Sequence, residues 1–330
     1  MSTITLGHGS GGRQSREIVD ILLDSFRRRG IGPEMEDAAL LPGGFAMTTD
    51  GFTVSPRKFP GGDIGHLCVC GCVNDLAVRG AAPEFLGLGL IIEEGFPSGE
   101  LLEYMESAAA TCSELGMTLA AGDTKVVPSG AVDGVYFTGS AFGRIRRTLP
   151  LQMSNLRPED VLIVTTSIGR HGAAIAAARF NLSVEGLLSD CAPLWPSLEP
   201  LLLLDGLRCM RDCTRGGLGT VLCEWAETTG LHLSIEEMRI PIDFSVRSVC
   251  DVLGFDPLYM ACEGCAVIAT APSCAQEVID TLRKSPLCGD AAIIGRITEG
   301  EPGGMVSMRT LIGGERLVDM PFGELLPRIC

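Results

Sequence analysis

Lysine is almost absent: the 330 residues contain only Lys58, Lys125 and Lys284. Lysine and arginine together number 26, against 41 aspartates and glutamates, for a formal net charge of −15. So acidic a chain lacks the basic surface that nucleic acids and anionic membranes require, which excludes both as partners. Long apolar runs are also missing; none approaches the ~18 residues needed to cross a bilayer. The start, Met1-Ser2-Thr3-Ile4-Thr5, has neither the basic end nor the apolar stretch of a secretory signal, so a cytoplasmic location is expected. There is no Gly-Lys pair, which excludes a P-loop. No G-x-G-x-x-G is set between a strand and a helix, so a dinucleotide fold has no support. Internal repeats and low-complexity segments are absent too.

What is present starts with 14 cysteines. Without an export signal they read as reduced thiols, most of them packing as small hydrophobes. Cys68-Val-Cys70-Gly-Cys72 lacks the C-x-x-C spacing of zinc sites, and no second Cys/His pair follows nearby. Cys262-Glu-Gly-Cys265 is a true C-x-x-C, but a solitary one. With so few lysines, Lys125 inside Gly122-Asp123-Thr124-Lys125 is unusually informative.

The length allows two domains. Residues 1–16 begin strand-like and pass into the glycine loop His8-Gly9-Ser10-Gly11-Gly12; Ile18, Leu22 and Phe26 then predict a helix. Phe45–Val54 reads as a strand or hairpin interrupted at Thr49-Asp50-Gly51, and 63–79 as a helix. A strand over 85–92, a helix over 98–115, a short buried strand over 117–121 and a strand over 135–142 follow. The Arg-, Pro- and Asn-rich stretch 144–160 marks a boundary, giving domains 1–150 and 151–316. The second half reads as strands at 161–166, 231–235, 265–270 and 291–297, with helices at 171–179, 216–228, 244–253 and 273–284. Such interleaving predicts α/β or α+β layers in both halves. Residues 317–330 read as an extended tail.

Asp37, Asp50, Asp63, Asp75 and Asp123 sit at turns or element ends beside Gly, Thr or Asn. Taken singly, each is a turn or capping residue. If they converge, their charge would suit Mg²⁺ shared with nucleotide phosphates. Lys125, two residues after Asp123, falls on the same side of a strand and could neutralise phosphate or act as a base. Residues 9–12 can bring backbone N–H groups close to phosphates. Asp212 or Thr214 could cap the helix that follows Gly216-Gly217. Glu263 is a metal ligand or a loop carboxylate. The chain closes on Cys330, a thiol on an extended arm that is suited to carry an acyl-type group.

These residues resemble a known pattern. His8-Gly9-Ser10-Gly11-Gly12, Asp37-Ala38-Ala39, Thr48-Thr49-Asp50, Phe59-Pro60-Gly61-Gly62-Asp63-Ile64-Gly65, Val73-Asn74-Asp75-Leu76-Ala77, Gly122-Asp123-Thr124-Lys125, Thr214-Arg215-Gly216-Gly217 and the closing Pro327-Arg328-Ile329-Cys330 match, nearly end to end, the hydrogenase maturation family HypE. That family lies within the aminoimidazole-ribotide-synthetase-like (PurM-like) superfamily. The resemblance implies a two-domain fold whose N-terminal mixed sheet pairs across a homodimer, followed by a C-terminal α/β sandwich. It implies Mg²⁺ at Asp37, Asp50, Asp75 and Asp123, and ATP bound by Gly9, Ser10, Gly11, Gly12, Asp50, Asn74 and Asp123. Catalytic roles fall on Cys330, Lys125, Asp75 and Glu263.

The implied reaction dehydrates a carbamoyl group on Cys330 to a thiocyanate. The carbamoyltransferase HypF would supply the group, and the HypC–HypD iron scaffold would receive the cyanide for the hydrogenase Fe(CN)₂CO centre. Four positions depart from the family pattern: Arg170 for aspartate, Arg211 for histidine, Cys213 for alanine and Cys262 for asparagine. A maturation scaffold with impaired turnover, and a kinase or synthetase acting on a free small molecule, are the alternatives.

Overall fold

The computed structural model describes residues 3–9, 11–32 and 35–321, so Ser10 and the tail bearing Cys330 lie outside the described residues. In the first half, helix α1 (Gly12–Arg27) precedes strands β1 (Ala39–Leu41) and β2 (Phe45–Phe52). A small ribbon, β3 (Lys58–Phe59) and β4 (Gly62–Asp63), leads into α2 (Ile64–Val78), then β5 (Ala81–Glu93), α3 (Ser98–Glu114), β6 (Thr118–Val127) and β7 (Val135–Ile145). The sheet order is β1-β2-β7-β5-β6, with β5 and β6 parallel. β2 is one unbroken strand, paired with β7 from Phe45↔Arg144 to Phe52↔Phe137. Thr49-Asp50-Gly51 therefore does not turn the chain; the glycine is absorbed by the antiparallel ladder.

Asp63 caps α2, its Oδ1 accepting from the main-chain N–H of Gly65 at 2.8 Å and His66 at 3.0 Å. α2 is apolar on nearly every side and is buried between the sheet, α3 and the second half.

The second half comprises β8 (Val161–Val164), α4 (Arg170–Arg179), α5 (Trp195–Leu198), β9 (Leu207–Asp212), α6 (Gly217–Thr229), β10 (His232–Glu236), α7 (Phe244–Leu253), β11 (Ala266–Thr270), α8 (Ala275–Leu282), β12 (Ala292–Thr298), β13 (Met305–Arg309) and β14 (Glu315–Val318). Its seven strands run β14-β13-β10-β12-β8-β11-β9. Alternation divides them cleanly: Leu162 and Val164 join the core under α6, while Ile163 joins the core that runs through to the first half. That second core holds Ala46, Leu67, Ile163, Trp195 and Val278 together, so the halves share buried apolar surface. Among the described residues, no helix is long and apolar enough to cross a membrane.

Two expectations need correction. The short buried strand over 117–121 is a ten-residue strand, β6, exposed along almost its whole length at the sheet's edge. Met117, Leu119, Ala120 and Ala121 are apolar and suggest a core strand, yet β6 pairs with β5 alone. Strands β1, β9, β13 and β14 were not foreseen, because each is short and lacks a clear two-residue alternation.

Candidate active site

The two halves enclose a cavity of about 390 Å³, within the size range of small-ligand sites. The glycine loop enters from one side through Gly11 and Gly12; β2 supplies Thr48 and Asp50, and α2 supplies Asp75. Opposite them, the end of β9 brings Arg211 and Asp212, and the turn into α6 brings Thr214 and Arg215. Close backbone approach builds this meeting point. A Cβ on Gly11 would lie 3.2 Å from the main chain of Arg215, and one on Gly217 would lie 2.5 Å from the Met260 carbonyl. Both glycines have positive φ, which L side chains adopt at a cost. The loop spells G-x-G-x-x-G over residues 7–12, but a 3₁₀ turn (Leu6–Gly9) rather than a strand leads into it.

At the cavity's base, carboxylate oxygens of Asp37, Asp75 and Asp212 lie within 4.8 Å of one another. Asp75 accepts from the Thr48 hydroxyl at 2.5 Å. Asp37 Oδ1 meets Arg211 Nε at 3.0 Å, and the same guanidinium reaches Glu224 at 2.8 Å. Burial pushes Asp37 up to about 6, with Arg211 opposing. Asp75 and Asp212 are driven well above the carboxylate range by burial first and by their acidic neighbours second. Asp37 Oδ2 and Asp212 Oδ2 are buried without a hydrogen-bond partner among the described residues. Three crowded carboxylates with two orphaned oxygens are a donor set that fits a hard divalent cation such as Mg²⁺.

The predicted residues divide accordingly. Asp37, Asp50, Asp75, Gly11 and Gly12 come together at this cavity. Asp212, which the sequence left between a helix cap and a ligand-binding residue, is the third carboxylate of the cluster; α6 has Gly216 at its N-cap and no side-chain cap. Asp63 is the cap of α2.

Asn74 does not line the cavity. It is fully buried in the interdomain seam, donating to the main-chain oxygens of Glu263 (2.9 Å) and Ala192 (3.2 Å) and accepting from Leu194 N–H at 2.7 Å. It thereby ties α2 to the Glu263 loop. Glu263 is buried, its carboxyl raised well above the usual range by burial and by Asp212, Asp190 and Asp50.

Asp123 and Lys125 do share a side of β6, with Lys125 Nζ 2.6 Å from Asp123 Oδ1. They are not brought to the cluster: β6 and β2 lie at opposite ends of the β2-β7-β5-β6 row. Three strand spacings put roughly 14 Å between them.

Arg211 and Arg215 line the cavity with no role assigned to them from the sequence: Arg215 stands in the Thr214-Arg215-Gly216-Gly217 turn and Arg211 is only a departure from histidine, and neither signal tells which acids they would face.

The sequence and fold agree with known proteins. Residues 35–145 match the family model of the AIR synthase related protein N-terminal domain, and residues 157–307 match that of its C-terminal domain. The carbamoyl dehydratase HypE of Rhodobacter capsulatus is 42% identical over 337 residues, covering 99% of this chain and 98% of that one. This chain belongs to the HypE family.

Two solved HypE structures share its two-domain PurM-like fold. One, in complex with ATP, has a TM-score of 0.85 at 38% identity over 99% of this chain and 100% of the other. The second, in a HypE–HypF complex, has a TM-score of 0.87 at 38% identity over 94% and 100%.

The departures from the HypE pattern have local partners. Arg170 pairs with Asp243 at 2.5 Å. Arg211 bridges Asp37 and Glu224. Cys262 Sγ accepts from Gly169 N–H at 3.1 Å. Cys213, Cys262 and Cys265 are all buried; Cys213 N–H donates to the Cys265 carbonyl and Cys262 N–H to the Cys213 carbonyl, each at 2.9 Å.

Proposed function

We propose that this chain is an ATP-dependent carbamoyl dehydratase whose substrate is a thiocarbamate carried on its own Cys330. The observation that carries the proposal is where the tail departs. Pro321, the last described residue, accepts from Arg13 N–H at 3.1 Å, beside the glycine loop that enters the cavity. Nine residues follow it. Fully extended, they span up to roughly 30 Å, ample for a terminal thiol to return to the carboxylate cluster.

In this reading ATP binds over the glycine loop and the cluster; that a HypE relative was solved in complex with ATP supports ATP as the nucleotide. Asp37, Asp75 and Asp212, with Asp50 near, would hold Mg²⁺, which supplies charge neutralisation for the phosphates. Arg215 lines the cavity and can face the transferred phosphoryl group.

The carboxamide oxygen of the thiocarbamate takes the γ-phosphoryl group as ADP leaves, and one of the two N–H protons is given up to solvent, leaving an O-phosphorylated imidate. A base then removes the remaining N–H proton, the C–O bond breaks with loss of phosphate, and the thiocyanate remains on Cys330. Amide oxygen is a poor leaving group until phosphorylated, which is why ATP is consumed. Glu263, Asp75 and Lys125 are the candidate bases.

Asp123 and Lys125 reach this site only if they come from a partner subunit. The open β6 edge and the exposed apolar side chains of Met47, Phe85 and Ile91, which share one face of the sheet, support a homodimer formed through this sheet. HypF, found with a HypE relative, is the donor of the carbamoyl group. The HypC–HypD complex is the acceptor of the cyanide.

Intact-mass measurement after incubation with HypF, carbamoyl phosphate and MgATP tests the proposal. A carbamoyl adduct that then loses one water, confined to Cys330, is expected, and Lys125→Ala should stop at the adduct. Adduct formation and dehydration in Cys330→Ala would refute the tail assignment. A wild-type adduct that never loses water would leave the maturation-scaffold reading.

A further inference from the structure

Cys70 has neighbours that the Cys68-Val-Cys70-Gly-Cys72 tract does not suggest. Cys68 and Cys72, four residues apart, face β7: a Cβ on Gly139 would meet their sulfurs at 3.0 and 2.5 Å. Cys70 points the other way, into the seam between the halves. There it joins His66, one turn earlier on α2, and Cys191 from the loop after α4. His66 Nε2 lies 3.4 Å from Cys70 Sγ, and one ligand atom from each of the three residues lies within 4.8 Å of the others.

We propose that His66, Cys70 and Cys191 form a metal site for one borderline-soft divalent cation, Zn²⁺ above all, bridging α2 and the 189–194 loop. Tetrahedral zinc, with bonds of ~2.3 Å to sulfur and ~2.1 Å to nitrogen, sets N···S separations of about 3.6 Å. The observed 3.4 Å is already close to that. The ring is also oriented from behind. Thr111 Oγ1 lies 2.8 Å from His66 Nδ1 and itself donates to the Ser107 carbonyl at 3.0 Å, so it accepts the Nδ1 proton. Nε2 is thereby left to face the sulfurs, the arrangement that fixes ligand histidines in metal proteins.

The remaining surroundings of Nε2 call for positive charge. The Cys191 carbonyl oxygen stands 3.1 Å away, and Cys70 Sγ lies beside it. The Nε2 lone pair opposes the carbonyl oxygen and is offset only by something positive between these groups, the Cys70 thiol proton or a cation. With two sulfurs and a nitrogen converging, a cation gains far more than a proton does, provided both thiols ionise as it binds. Among the described residues no fourth histidine, cysteine or carboxylate joins the three, which leaves one position to water.

The ligands come from both halves, so metal would clamp the seam. Cys191 adjoins Asp190, whose carboxylate accepts from the N–H groups of Glu263 and Gly264, each at 3.2 Å. The clamp would steady the Glu263 loop without touching substrate.

Cobalt gives the test, since Co²⁺ in a tetrahedral thiolate site shows a thiolate-to-metal charge-transfer band and intense visible bands. The reduced, chelator-stripped full-length protein, with Cys330→Ala in parallel to remove the tail thiol, is titrated with Co²⁺ and back-titrated with Zn²⁺. Both proteins should saturate at one equivalent and be bleached by one equivalent of Zn²⁺. Cys70→Ser and Cys191→Ser should abolish the charge-transfer band, and Thr111→Val should weaken binding about tenfold or more. Cys68→Ser and Cys72→Ser should keep the band. Absence of the band in the unsubstituted protein, its survival in Cys70→Ser or Cys191→Ser, or its loss in Cys68→Ser would each overturn the site; the first needs no variant to fold.

Discussion

Asp212 shows how one residue can serve function against stability. It is buried, its Oδ2 is unpartnered, and it faces Asp37 and Asp75. Without a cation the three carboxylates repel one another. Asp212→Asn should therefore stabilise the metal-free protein, by about 1 kcal/mol, while weakening Mg²⁺ binding at least about tenfold. Thermal melts in chelator and Mg²⁺-dependent ATP turnover read the two effects separately.

His171 gives a second residue-scale expectation. It is fully buried, with Nδ1 2.8 Å from Ser189 Oγ and the ring edge-on to Phe59. Burial pushes its pKa down to about 3, with Arg179 reinforcing the shift. The unfolded chain binds a proton near pH 6.5 that the folded one refuses, so stability is complete above that pH and falls as pH drops from 6.5 toward 3. Acidification from pH 7 to pH 5 should cost the wild type about 2 kcal/mol more than it costs His171→Gln, as read by urea unfolding at each pH.

Among elements, α2 carries the most. It packs on the N-terminal sheet, α3, α5 and β9. It also holds Asp75 at the cavity, Asn74 in the seam, and His66 and Cys70 facing Cys191. Its start is fixed by the Asp63 cap and by close contact with α3, where a Cβ on Gly65 would fall 1.9 Å from the Tyr104 carbonyl oxygen. Gly65→Ala must push the two helices apart. A destabilisation of about 1–3 kcal/mol is expected by chemical denaturation, with a weaker MgATP response because Asp75 moves with the helix.

At the scale of the whole molecule, Asp123 and Lys125 stand apart from the carboxylates of their own chain. If a partner's β6 completes each site, two inactive subunits can rescue one another. Co-expressed Asp75→Asn and Lys125→Ala chains, mixed at random, would place one intact site in each heterodimer and recover about a quarter of wild-type dehydration. Assembly of the site within one chain predicts no recovery. Sedimentation should show a dimer, and a charged residue at Phe85 or Ile91 should weaken it.

Local sequence was enough for the motifs, the two-part α/β alternation and the acidic character of the site, since strand-end aspartates, glycine turns and helical periodicity are properties of neighbours in the chain. It sufficed as well for α2, whose apolar recurrence is unbroken. Tertiary structure alone decided which acids meet. Asp212 joins Asp37 and Asp75 because β9 ends against α2, and Asp123 is carried off because β6 is the sheet's far strand. It likewise turned Asn74 into a tie across the seam and separated Cys70 from Cys68 and Cys72. Side-chain partnership across more than a hundred residues depends on strand order and helix rotation, and neither is encoded in any one stretch of residues.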